Sequence, residues 1–333
     1  MRGFHAIAVG VSCAVSLVGC FLDHGAPPVE DAGFDVPDAG PCAPGAPCDC
    51  RAAELVPSGT HIVGANIEDA CDFRDDFRCT FFGGPAHLAV LTRAVFVARY
   101  EASSGCWARC VREGACRAEA AAGCADGECG PLMAGYWRDP DRALLPAINL
   151  TYRGATEYCS FLGGRLPTNA EWEKAARGEE GRRWPWAGVP DDPLNIDRTE
   201  LAEMHALWVE GPIPAHRDQT AVGTDFIIPI DSFPEGRGIY GHYGLMGNAW
   251  EWVFDWMEYY DTELVTDPMG PAVPDMPDGR ILRPGEEYIW GRVIEYTDVG
   301  VTPGVHFYPH GARCAFDAEP EPLPMWETMA VGE

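Results

Sequence analysis

Apolar positions occur in short runs, separated by turn residues, from Ala53 onward. Residues 88–98 (LAVLTRAVFVA), rich in Val, Leu and Phe, predict one or two β-strands, followed by Arg99-Tyr100-Glu101. Ala155, Tyr158, Cys159 and Leu162 recur at i, i+3, i+4 and i+7, the stripe of an amphipathic helix, and Gly163-Gly164 ends it. A second helix is predicted with Thr168 as N-cap and Glu171 completing a capping box. Trp172, Ala175 and Ala176 form its inward face, and Gly178 closes it. Beyond it the pattern gives loops and short strands through Gly236–Trp256, Arg280–Arg283 and Gly311–Phe316. No internal repeat of fixed period is present.

The first residues follow a different pattern. Arg2 is followed by an apolar stretch over Ala6–Val18, shorter than the roughly 20 residues of a membrane-spanning helix but suited to a secretory signal. Leu17-Val18-Gly19-Cys20 resembles a bacterial lipobox, with Cys20 as the lipidated residue. Residues 21–50 are rich in Pro, Gly, Ala and Asp and lack periodicity, as expected of a solvated spacer. The expected organisation is therefore a signal over 1–19, a spacer over 20–52, a globular domain over 53–318 with a Cys-rich insertion at 105–130, and an acidic tail over 319–333.

Composition narrows the function. The 333 residues carry 24 Lys and Arg against 51 Asp and Glu, a net charge of −27. Neutralising nucleic-acid phosphates takes an excess of cations that this chain lacks, so nucleic acid is excluded as a partner class. The 38 Gly and 29 Pro predict many turns and few long helices, which excludes a bundle or coiled coil. Fourteen cysteines favour an oxidising compartment. With Cys13 and Cys20 set aside, twelve remain, enough for up to six disulfides. Cys106, Cys110, Cys116, Cys124 and Cys129 crowd one segment with neither a Cys-x-x-Cys pair nor a His, so disulfides are expected there in preference to zinc.

Six segments stand in order along the chain: Pro85–Leu88 through Ala98–Glu101, Tyr158–Gly178, Trp184–Gly188, Ser232–Pro234, Gly247–Trp252 (GNAWEW) and Ala312–Ala315 (ARCA). This series resembles the formylglycine-generating or sulfatase-modifying-factor family. Together they reach from about Glu54 to Phe316. The resemblance implies a C-type-lectin-like α+β fold with little regular structure, disulfide-rich here. It also implies a disulfide between Cys159 and Cys314.

Active members of that family oxidise a sulfatase Cys to formylglycine with Cu(I) held by two cysteines, as suits a soft ion. Those cysteines follow a segment matched here by Arg283–Arg292 (RPGEEYIWGR). No cysteine lies between Cys159 and Cys314, so copper is not expected. Another branch of the fold uses iron held by His and Glu. His306 and His310 stand four apart, but Pro309 argues against a helical ligand pair and leaves two loop histidines. A structural Ca²⁺ site is implied at the carbonyls of Gly247 and Ala249 and the side chain of Glu251. Gly244 stands where relatives carry a side-chain ligand. A second Ca²⁺ site would use Asn195 and the Ile196 carbonyl, with Asp218 or Asp225. Glu251 is also a candidate for a buried ion pair with Arg165 or Arg177. Trp250, Trp252 and Trp256 are expected to fill the core in preference to forming a ligand platform.

The expected function is a membrane-anchored, non-catalytic binding or structural module of the bacterial cell envelope, lipid-attached at the outer membrane, with an extracytoplasmic protein, peptide or glycan as partner. The alternative is a formylglycine-generating-type oxidoreductase acting on a sulfatase Cys.

Overall fold

In a computed structural model, the structure describes residues 45–64, 85–118, 136–182, 185, 227–232, 234–245, 248–257, 263–272, 279–283, 293–296 and 310–321. All lie in one unit, residues 36–333. Ten short strands and three α-helices are found among them. In chain order they run β1 (Ala53–Val56), β2 (Gly59–Val63), β3 (His87–Leu91), β4 (Val95–Ala98), α1 (Ser104–Arg112), α2 (Tyr152–Phe161), α3 (Asn169–Arg177), β5 (Trp250–Trp256), β6 (Val265–Thr266), β7 (Gly279–Arg283), β8 (Val293–Tyr296), β9 (His310–Ala312) and β10 (Ala315–Phe316). The α+β class and the scarcity of long regular elements agree with the Gly and Pro content.

The apolar run over 88–98 forms two strands that enter different sheets. β3 joins β2 and β6, whereas β4 sits between β1 and β10. The third sheet has the order β8-β7-β5-β9, with β5 and β9 parallel. On β4, Val95 and Val97 point inward against Val56, Ala175 and Ala315.

Both predicted helices form. α2 begins earlier than its apolar stripe, because Thr151 Oγ1 accepts the Gly154 N–H at 3.0 Å and caps the first turn. The capping box of α3 is complete: Thr168 Oγ1 accepts the Glu171 N–H at 3.2 Å, and the Thr168 N–H donates to Glu171 Oε2 at 2.7 Å. Gly178 ends it at φ 70°, a conformation that disfavours residues with a Cβ. Every residue of α3 is buried, Glu173, Lys174 and Arg177 included.

The start of the Cys-rich segment packs into the core. α1 buries Cys106, Trp107 and Cys110 in the same core as Tyr158, Leu162, Trp250 and Trp252. Its cysteines form Cys50–Cys106 and Cys110–Cys116, so one bridge is local and the other reaches 56 residues back. Cys159–Cys314 joins α2 to the turn before β10, a separation of 155 residues. Beside it, Arg165 and Ala315 exchange both backbone hydrogen bonds, at 2.9 and 2.7 Å. Gly164 permits this contact, since a Cβ there would lie 2.5 Å from the Ala315 carbonyl oxygen.

Candidate functional site

The charged interior of the domain is organised around β5. Its residues 250–253 are buried on both faces. Trp252 Nε1 donates to the Leu150 carbonyl at 2.7 Å, while Glu251 turns the opposite way. The Glu251 carboxylate receives Arg313 Nη2 at 2.7 Å, Arg313 Nε at 3.0 Å to each oxygen, and a hydrogen bond from Trp172 Nε1. Arg313 also donates to the carbonyls of Ala98 (2.9 Å), Arg99 (3.1 Å) and Tyr243 (2.7 Å). Both partners are essentially inaccessible. The guanidinium therefore links β4, β5 and the loop at Tyr243.

Glu251 thus pairs with Arg313, and not with Arg165 or Arg177. Arg165 forms a two-pronged pair with Glu171, at 2.7 Å on each oxygen. Arg177 pairs with Glu173 within α3, and Arg283 approaches the other Glu173 oxygen at 3.2 Å. Arg283 also donates to Asn169 Oδ1 at 2.9 Å and lies over the Trp172 ring, 4.6 Å from its centroid. Burial raises the Glu173 proton affinity, but Arg283, Arg177 and the Gly64 N–H outweigh it and hold the carboxyl below its ordinary range. Within α3 the four-residue step places Glu173 beside Arg177.

A third acid, Glu101, sits at the end of the extended run after β4. It accepts the Ala249 N–H at 2.8 Å and Asn248 Nδ2 at 2.5 Å. Asn248 adopts φ 65°, which Asn tolerates better than most residues, and this aims its amide inward. The space Glu101 uses exists because residue 244 is Gly: a Cβ there would lie 2.9 Å from Glu101 Oε2. Burial, and secondarily the charge of Glu251, push the Glu101 carboxyl up to about 8. Neither Glu101 nor Arg313 was picked out from the sequence as a site residue. The signal available was an acid ending an apolar strand and a basic residue inside Ala312–Ala315.

Of the residues implied for Ca²⁺, Gly247, Asn195 and Ile196 lie outside the described residues, as do Asp218 and Asp225. Ala249 is buried, with its amide committed to Glu101. Glu251 does not fit a cation ligand in this arrangement, since its oxygens face a guanidinium and an indole N–H. No group of three or more His, Cys, Asp or Glu side chains poised to hold a metal occurs among the described residues. His306 lies outside them, whereas His310, expected in a loop, is in β9 and buried near the Trp250 and Trp252 rings. Burial lowers its pKa to about 4. Trp250 and Trp252 are core residues, while Trp256 is half-exposed with Arg280 stacked 3.5 Å from its ring centroid. Cys20 and the segment 284–292 are also outside the described residues.

Comparison with known proteins places this architecture. Residues 43–321 match the model of the sulfatase-modifying factor enzyme 1-like domain. The chain belongs to this family. A formylglycine-generating enzyme of Thermomonospora curvata is 33% identical over 198 residues, which is 55% of this chain and 61% of the relative. An inactive C-alpha-formylglycine-generating enzyme 2 of Mus musculus is 34% identical over 131 residues, 37% of this chain and 38% of the relative. The chain thus spans less than two thirds of the length of these curated relatives. Among solved structures, Treponema denticola variable protein 1 aligns with a TM-score of 0.50 at 18% identity, over 80% of this chain and 95% of the other. PvdO from Pseudomonas aeruginosa aligns with a TM-score of 0.50 at 20% identity, over 78% and 92%. At such identities the structural likeness speaks for the fold alone. The curated relatives of this sulfatase-modifying-factor domain include both active and inactive proteins.

Proposed function

We propose that this sulfatase-modifying-factor domain is a non-catalytic binding module of the bacterial envelope, lipid-anchored at Cys20 to the outer membrane and presented to an extracytoplasmic protein, peptide or glycan. One observation carries the reading. The segment between Cys159 and Cys314 holds no cysteine, and those two are bonded to each other. Gripping Cu(I) takes thiolates, and this stretch of the family fold supplies none. The buried acids are engaged and not free for proton transfer. Glu251 and Glu173 are ion-paired, and Glu101 is enclosed behind Asn248 and the Ala249 amide. What these residues do is hold β4, β5 and α3 together. A relative named as inactive supports the same view.

The test incubates the full chain with Cu(I), oxygen and a Cys-containing sulfatase peptide, and reads the peptide by mass spectrometry. The peptide is expected to remain unmodified, and a copper-dependent aldehyde product would establish oxidase activity instead. For the anchor, Cys20→Ser is expected to move the protein from the membrane fraction to the soluble one, and an unchanged distribution would overturn that part.

A further inference from the structure

Residues 45–52 precede β1 and lie across the body as a strap. Asp49 shapes it, accepting the Gly45 N–H at 2.9 Å and the Arg51 N–H at 3.1 Å. Its non-covalent ties to the body are few. Arg99 Nη1 donates to the Gly45 carbonyl at 2.7 Å, the Arg99 N–H to the Ala52 carbonyl at 2.8 Å, and Arg51 Nη1 to the Glu321 carbonyl at 3.0 Å. The firm attachments are covalent. Cys50 bonds to Cys106 of α1, and the exposed Cys48 is in a disulfide too, with a partner outside the described residues.

Beneath the strap is a cavity of about 10 Å³, room for one water molecule. Pro47, Asp49 and Cys50 of the strap line it together with Tyr158, Leu162 and Cys314 of the body. The strap thus roofs the place where the long-range disulfide lies. Thiol–disulfide exchange requires a thiolate to reach one sulfur in line with the bond. Cys50 is half-buried and reachable, whereas Cys159 and Cys314 are 0% and 1% exposed.

We propose that the strap is a redox-releasable guard, so that Cys50–Cys106 opens before Cys159–Cys314 and shields it from reduction. A thiolate of an external dithiol attacks the Cys50 sulfur, and Cys106 leaves as the thiolate and takes up a proton. The second thiol of the dithiol, having lost its proton, then resolves the mixed disulfide. The dithiol ends as a disulfide, two electrons are transferred, and Cys50 and Cys106 end as thiols. With Cys48 reduced as well, the strap is held by the hydrogen bonds from Arg99, Tyr100 and Arg51 and by the packing of Cys50 against the core, and segments with few such contacts open locally at lower cost than the whole fold. Departure of the strap uncovers Cys314 for a second exchange.

The full chain is treated with graded dithiothreitol under native conditions, quenched by alkylation and mapped by mass spectrometry. Cys50 and Cys106 are expected to be labelled first, with Cys159 and Cys314 at least about tenfold slower, as local opening must come first. In Cys50→Ser/Cys106→Ser the labelling of Cys159 and Cys314 is expected to run about tenfold faster than in the unsubstituted chain. Should that variant fail to fold, Asp49→Ala decides, because loosening the strap while keeping every cysteine must accelerate labelling of Cys50. Simultaneous or earlier labelling of Cys159 and Cys314 in the unsubstituted chain, an unchanged Cys159 and Cys314 rate in the folded double variant, or an unchanged Cys50 rate in Asp49→Ala would overturn the proposal.

Discussion

Replacing Glu251 by Gln tests the central energetic claim about this fold. The substitution preserves size and leaves an amide oxygen to accept from Trp172 Nε1. The amide nitrogen must then face Arg313 Nε and Nη2, which stand 2.7–3.0 Å from the present carboxylate oxygens. Donor meets donor, and Arg313, inaccessible to water, keeps three carbonyl partners but loses its paired carboxylate. Removing one partner of a buried pair typically costs about 3–5 kcal/mol. For a domain of this size that corresponds to a fall in melting temperature of about 10 °C. Calorimetry of Glu251→Gln, Arg313→Met and the double variant gives the cycle, and the double variant should recover about 1–3 kcal/mol of the summed loss. A chelator arm separates the pair from a calcium ligand: adding EDTA to the wild-type protein should leave its melting temperature unchanged. A Glu251→Gln variant within about 1 kcal/mol of wild type, or a wild-type protein that EDTA destabilises as much as the mutation does, would refute the reasoning.

Two further outcomes follow from the same interior. Cys159→Ala/Cys314→Ala releases a loop of 155 residues in the unfolded chain and should lower stability by about 5 kcal/mol in the chain-entropy model, read from urea midpoints at constant slope. His61, His242 and His310 are buried, and burial first of all lowers their pKa values to about 4, 3 and 4. The unfolded chain therefore binds protons that the folded one refuses. Their contribution is complete above the unfolded value of about 6.5 and is lost as pH falls from there towards the folded values. Near pH 5 these three sites give a slope of up to about 4 kcal/mol per pH unit. Urea titrations from pH 7 to 4.5 on His242→Gln and His310→Gln should each show a shallower fall, and parallel curves would contradict the assignment.

Much of the scaffold was written locally. The α2 stripe, the Thr168–Glu171 box and the Gly178 stop depend on contacts within a few residues, so spacing alone reveals them. The absence of cysteine between Cys159 and Cys314 is likewise a property of the chain, independent of how it folds. Pairing across the fold is different in kind. Arg313 reaches Glu251 across 62 residues, and Glu101 reaches Ala249 across 148. Position in sequence places Arg165 and Arg177 no worse than Arg313 as partners of Glu251. Only the packing of β4, β5 and β9 chooses among them, because a buried charge is stable only where its counter-charge and hydrogen-bond partners converge. The same holds for the strap: composition predicted a solvated spacer through residue 52, and the bridge from Cys50 to α1 binds its last eight residues to the domain. The sequence alone therefore determined the family, the helices α2 and α3 but not α1, and the missing thiolates. Tertiary structure decided which charges neutralise each other and which sulfurs are within reach of solvent, since both depend on distances that the order of residues does not encode.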